Sequence, residues 1–315
     1  LAAAAGATRQ RALELRRRAA EQYLFSGHLD EGRAVLRAML EAVGLAFPEH
    51  PARAFAELLG RRAQVRIRGL TFEERRSDEI PDEELLRIDV CWSVSIGLAM
   101  IDPVRGGIFQ ARHLLMALEA GDLFRVARAV AVEVPFSATA GSKARPRTER
   151  LTRRGRELAE RAGAAYTHGL LASSSGGAAW LEGRWAAAFE REEEALRILR
   201  RRCTGVAWEL ASSTIVLLDV LWRMGRFPEL FERWPAVFAD AASRGDLLLE
   251  IYVRIKFRAL SHLAAGRPDE AVREAQQALA RWSQPAFQLL HFWELFLRVE
   301  AQLYRGRPDA ARERL

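Results

Sequence analysis

The feature that most restricts this chain is a turn that recurs four times in its second half, as Gly183-Arg184-Trp185, Gly225-Arg226-Phe227, Gly266-Arg267-Pro268 and Gly306-Arg307-Pro308. The glycines stand 42, 41 and 40 residues apart. Each follows one apolar helical stretch and precedes another, and a near-constant spacing of this size is how stacked helical hairpins look in a sequence. A helix end needs a left-handed residue, a conformation that costs most amino acids a Cβ clash and glycine nothing. Pro268 and Pro308 fall where a helix starts and a missing N–H is harmless, while Asp269, Glu270 and Asp309 meet the positive end of the helix dipole. The expected fold class is all-α, an α-solenoid of antiparallel helical hairpins.

Apolar residues at helical spacing place further helices along the chain. One covers Leu1 to Phe25, with Leu13 and Leu15 on its apolar side, and after Ser26-Gly27 a second runs through Leu36, Met39 and Leu40 to Val43-Gly44. Pro51 starts a helix through Phe55, Leu58 and Leu59 toward Ile67, and the charged stretch Thr71 to Pro81 is expected to be an irregular connection. Glu83 to Ile101, apolar on several faces after Arg87 and Asp89, predicts a buried helix. Asp102-Pro103 breaks it, Gly106-Gly107 starts the next, which ends at Ala120, and a partner runs from Phe124 to about Val134, before Pro135. Segment 139–148, with Gly141, Ser142, Lys143 and Pro146, is expected to link an irregular helical half, 1–138, to a regular helical-repeat half, 149–315. In the regular half, helices pair as Ala164 to Leu181 with Arg184 to Arg201, Val206 to Met224 with Pro228 to Ala242, and Leu247 to Ala265 with Pro268 to Trp282. Ala286 to Tyr304 then pairs with a truncated Pro308 to Leu315, and Pro235 is expected to kink or split its helix. These helices exceed those of the common tetratricopeptide unit of roughly 34 residues, so the arrangement is tetratricopeptide-like with a repeat near about 40. Starting at Leu1 and stopping inside an expected helix, the chain is expected to be a piece of a longer polypeptide with repeats or domains beyond both ends.

Net charge is +7, and of 48 basic residues only Lys143 and Lys256 are lysines. Many arginines interleave with acids at helical spacing, as in Glu190-Arg191-Glu192-Glu193-Glu194 followed by Arg197, Arg200 and Arg201, the pattern of a solvated helix face. No aromatic-rich basic stripe accompanies the charge, so no nucleic-acid partner is expected. Cys91 and Cys203 lie far apart without partners at ligand spacing, which indicates neither a zinc site nor a disulfide framework and fits a reducing cytoplasm. The uncharged run Ala162 to Leu181 is long enough to span a bilayer but carries His168, three serines and four glycines, so a close-packed helix is expected and no membrane partner.

Catalytic patterns are missing. Gly141-Ser142-Lys143 lacks the spacing of a phosphate loop, and the histidines His28, His50, His113, His168, His262 and His291 stand in no metal-ligand arrangement. No kinase landmark or nucleophile elbow occurs, so neither catalytic residue, metal nor cofactor is expected and the chain itself is not expected to be an enzyme. Eight tryptophans mainly serve to fill gaps between helices, but Trp and Arg also anchor interfaces. Trp208 with Glu209, at the start of a helix, is the first candidate partner-binding pair; Asp89 and Trp92, with Arg112 and His113 across the following turn, form a second group.

The wording of several stretches is more specific: Cys203-Thr204-Gly205-Val206-Ala207-Trp208-Glu209, Arg281-Trp282-Ser283-Gln284, Arg87-Ile88-Asp89-Val90-Cys91-Trp92-Ser93, Gln110-Ala111-Arg112-His113-Leu114-Leu115 and Arg18-Ala19-Ala20-Glu21-Gln22. Together they resemble the C-terminal tetratricopeptide-like region of large bacterial serine/threonine protein kinases, in which a kinase domain is followed by a predicted ATPase module and helical repeats. The resemblance implies a regulatory or sensing arm and carries over no catalytic residue. The expected function is a non-catalytic scaffold whose concave face binds a protein or peptide, or upstream domains of the same polypeptide. The alternative is a small-molecule-sensing domain with a pocket between the two halves.

Overall fold

The computed structural model describes residues 9–99, 101–282 and 287–314. Ser283, Gln284 and Ala286 lie outside the described residues, as do Leu1, Leu315 and the side chain of Leu13. The helices are α1 (Arg9–Phe25), α2 (Leu29–Glu41), α3 (Pro51–Arg68), α4 (Asp82–Leu98), α5 (Pro103–Ala120), α6 (Leu123–Ala138), α7 (Arg145–Ala162) and α8 (Ala165–Leu181). They continue as α9 (Trp185–Arg202), α10 (Ala207–Arg223), α11 (Phe227–Arg244), α12 (Leu247–Val253), α13 (Ala259–Ala264), α14 (Pro268–Leu279), α15 (Leu289–Tyr304) and α16 (Pro308–Arg312). A π-helical segment, Arg254–Arg258, joins α12 to α13 in one run. Among the described residues no strand forms; Arg75 and Asp122 make an isolated bridge, and no helix is long and apolar enough to cross a membrane.

All four repeat glycines are left-handed, with φ of 74°, 69°, 73° and 69° at Gly183, Gly225, Gly266 and Gly306. At three of these turns the residue after the glycine donates its N–H to a carbonyl five residues back: Arg184 to Ala179, Arg267 to His262 and Arg307 to Gln302. This bond satisfies carbonyls that a helix end leaves open. The first hairpin uses the same device, His28 donating to the Tyr23 carbonyl across left-handed Gly27.

Contacts divide the chain into two compact units: one takes the chain up to Arg18 with Ala34–Met224, the other Ala19–Arg33 with the chain from Gly225 onward. In the first, α3 and α4 pack on α5, α5 on α6, α6 on α7 and α8, α8 on α9 and α10, and α9 on α10. In the second, α11 packs on α12, α14 on α13 and α15, and α15 on α16. The turn at Gly27 belongs to the second unit, where an added Cβ would meet Leu247 Cδ2 at 3.1 Å. Spatial neighbours are therefore not always neighbours in the chain.

Several local expectations are revised. Asp102-Pro103 does more than end α4: Asp102 accepts the Arg105 N–H and Pro103 occupies the first turn, so α5 starts before Gly106. Gly106 and Gly107 are helical, and the missing Cβ at Gly106 lets α4 approach, with Ser95 donating to the Gly106 carbonyl at 3.1 Å. Pro135 does not stop α6: it forgoes its own N–H bond, and Thr139 still donates to its carbonyl. Pro235 likewise lies inside one continuous helix, α11. Segment 139–148, expected as a linker between halves, is a short 3-10 turn followed by the first turn of α7, and it lies inside the first unit, with α7 packed back on α6.

The acidic run in α9 is not wholly a solvated face. Gly169 and Gly176 of α8 let α9 come close, and Glu192, fully buried, lies against Gly176. Burial pushes the Glu192 carboxyl well above 4.5, offset only in part by the Ser213 hydroxyl. A carboxyl whose pKa is raised on folding stabilises the fold fully below its unfolded pKa, and that stability is lost as pH rises toward the folded pKa. Glu192→Gln should therefore match the parent chain in urea unfolding near pH 4 and gain on it as pH rises, by about tenfold in the folding equilibrium per pH unit until the folded pKa is passed. A constant difference between pH 4 and pH 8 would show that Glu192 does not titrate as argued.

Candidate functional site

Within the first unit a cleft of about 820 Å³ is lined by residues of α1, α2, α4, α6, α8, α9 and α10 and of the α9–α10 turn. Its ionic centre is Asp89. On α4, whose later residues are buried nearly all round, Asp89 retains 36% side-chain exposure and faces the first turns of α6. That turn is positioned by Asp122, which caps α6 by accepting the Arg125 N–H at 2.9 Å and takes the Ser77 hydroxyl at 2.5 Å. Although burial pushes the Asp122 carboxyl up, the Ser77 hydroxyl and the Arg125 backbone and guanidinium together hold it below the usual carboxylate range. Arg125 reaches Asp89 with two bonds, at 3.1 and 2.5 Å, and Arg128, one turn on, reaches it at 2.6 Å.

Arg128 also closes the back of the cleft. Its guanidinium stands 4.9 Å from the Trp92 ring centre and 5.7 Å from that of Phe124, within the range of cation–π attraction. Behind it, fully buried His113 packs its ring on Trp92 at 5.3 Å and receives the Arg128 Nε–H on Nε2 at 3.4 Å. Burial first, then Arg128 and Arg125, keep the His113 pKa well below 6.5. The ring is neutral, and the proton falls to Nδ1 because Nε2 accepts.

The opposite wall comes from later helices. Tyr166 of α8 donates its hydroxyl to Glu209 at 2.7 Å and lies 6.1 Å from the Phe124 ring. Glu209 is in the first turn of α10, where the helix dipole favours a carboxylate. Left-handed Gly205, φ 72°, turns the chain from α9 to α10 so that Cys203, Thr204 and Glu209 all line the cleft. Arg11 and Arg202 line it as well and are exposed.

The structure thus brings together Asp89, Trp92 and Glu209 from the two candidate groups, with His113 immediately behind them. Trp208 is not part of the lining: half-buried, it packs against the apolar cluster of Leu170, Leu171 and Trp92 while its neighbour Glu209 faces the cleft. Arg112 is elsewhere, bonded to Glu57 at 2.6 Å and to the Ala46 carbonyl at 2.9 Å, over the Phe109 ring. Arg125, Arg128, Phe124 and Tyr166 escape a sequence reading; the one signal for the arginines is their one-turn spacing behind the cap Asp122.

Chemically the cleft is suited to binding. Its thiol, Cys203, is pushed up by burial and then by Glu209, which disfavours the reactive thiolate. Among the described residues no group of His, Cys, Asp and Glu is placed to hold a metal ion. No protein-family model matches the sequence, and no curated protein matches it.

Proposed function

We propose that this chain is a non-catalytic, tetratricopeptide-like scaffold that binds an acidic peptide segment of a protein partner in the cleft between Asp89 and Glu209. The observation that carries the reading is the cleft's composition: four arginines, Arg11, Arg125, Arg128 and Arg202, against two carboxylates that already have partners. A peptide carboxylate fits the exposed Arg11 and Arg202, and an apolar side chain beside it fits Phe124 and Tyr166. The solenoid arrangement is supported by the four like turns and by helices that pack mainly on their sequence neighbours. The kinase resemblance makes upstream domains of the same polypeptide one source of the segment, with the chain a regulatory arm of a cytoplasmic bacterial signalling kinase. A second reading, a small-molecule sensor, is favoured by the cleft's volume, since about 300 to 1,000 Å³ is usual for such sites.

Fluorescence anisotropy with labelled acidic peptides, and the same peptides with amidated carboxylates, tests the choice. Acidic peptides should bind at least about tenfold more tightly, and Arg11→Glu with Arg202→Glu should remove that preference without changing the thermal midpoint, since both side chains are exposed. Binding indifferent to charge, or phosphotransfer by the purified chain, would overturn the reading; saturable binding of small carboxylates alone would select the second.

A further inference from the structure

A second pocket in the first unit, about 660 Å³, lies between the end of α3 and the first half of α7. Val65, Leu70 and Leu151 supply an apolar floor, and Arg66, Arg147, Arg150 and Arg154 a cationic rim. No carboxylate lines it. Glu133, the acid that reaches this cluster, is fully buried and already spent: Arg62 grips both its oxygens at 2.6 and 2.7 Å, and Arg147 adds a bond at 3.1 Å. Arg154 is bonded to Glu157 at 2.9 Å. Arg66 and Arg150 are exposed and, among the described residues, make no ion pair.

This charge is in excess where it stands. Burial, with repulsion from Arg62, Arg66 and Arg150, holds the Arg147 guanidinium below the usual arginine range in spite of Glu133. The first turn of α7 contains no acid, so the positive end of the helix adds to the arginines instead of being offset by carboxylates. Such crowding costs the folded chain free energy, which an anion with several oxygens would relieve. Guanidinium forks match phosphate oxygens in pairs, and the floor beside them calls for an apolar group attached to the anion.

We propose that this pocket binds a phosphate monoester, its phosphate held between Arg66 and Arg150 and its apolar part on Val65, Leu70 and Leu151. The site is separate from the cleft and does not depend on the peptide reading. Free organic phosphates and phosphatidate headgroups share this chemistry, so the test has two arms. In calorimetry the intact chain should bind phenyl phosphate saturably, one per chain, and at least about tenfold more tightly than inorganic phosphate because only the ester reaches the floor. Arg66→Gln with Arg150→Gln should weaken phenyl phosphate at least about tenfold, whereas Arg153→Gln, on the same helix but outside the pocket, should leave it unchanged. Unaltered thermal midpoints exclude misfolding. Binding of the soluble ester assigns the site to free phosphates; binding only to vesicles containing phosphatidate, with the same variant pattern, assigns it to headgroups. Absence of binding in both arms, equal loss with Arg153→Gln, or preference for a single-stranded oligonucleotide governed by salt alone would overturn the proposal.

Discussion

Glu133→Ala is expected to destabilise the first unit by about 3 to 5 kcal/mol, the usual cost of removing one partner from a buried ion pair. Glu133 on α6 is fully buried and ties α3 to α7 through Arg62 and Arg147, while Gln110 of α5 accepts a further bond from Arg62 at 3.0 Å. Without the carboxylate, two arginines that remain about three-quarters buried face each other and the already crowded Arg66 and Arg150. Glu133→Gln keeps the shape and loses the charge, so it should show most of the same loss. Surface pairs such as Arg154 with Glu157 should cost at most about 1 kcal/mol when broken. Urea unfolding, combined with amide exchange along α3, α6 and α7, reads the effect; a change of less than about 1 kcal/mol would mean that the pair is replaced as readily as a surface one.

Gly121→Ala should cost about 2 to 5 kcal/mol, adding left-handed strain to overpacking. Gly121 ends α5 at φ 82°, and a Cβ there would overlap the Glu73 carbonyl oxygen while its own carbonyl accepts the Arg75 N–H at 3.1 Å. The residue therefore pins the segment before α4 to the cap of α6. Because Asp122 is next in sequence and orients Arg125, the substitution should also weaken peptide binding in the cleft. Gly225→Ala is the control: its φ of 69° carries the same strain, but nothing lies within 4 Å of the added Cβ. It should cost only about 1 to 2 kcal/mol. Equal thermal shifts for the two variants would show that conformational strain, and not the contact with Glu73, sets the penalty.

How much was legible beforehand follows the range of the forces involved. The four Gly-Arg turns were readable because a left-handed residue and the bonds that cap a helix involve only six consecutive residues. Gly106 is not the helix start its sequence suggests, because its role, a close approach to Ser95 of α4 and to Ala99 just after it, depends on another element. Glu192 follows the same rule: in its own helix it belongs to a charged face, and only Gly176 across the interface turns that position into a buried one. Trp208 and Glu209, adjacent in sequence at the start of α10, point to different surroundings, so the geometry of that first turn divides the candidate pair.

By itself, then, the sequence determined that this protein is helical, where most helices stop, and that the four Gly-Arg turns need glycine, because these are settled by backbone sterics and bonds a few residues long. Tertiary structure alone decided that Asp89, Trp92, Arg125, Arg128, Tyr166 and Glu209 share one cleft, that four arginines of α3 and α7 rim another pocket, and that the first hairpin turn joins the later helices. Those outcomes depend on which helix faces pack together, a choice made by the summed fit of side chains from distant stretches, which no single stretch encodes.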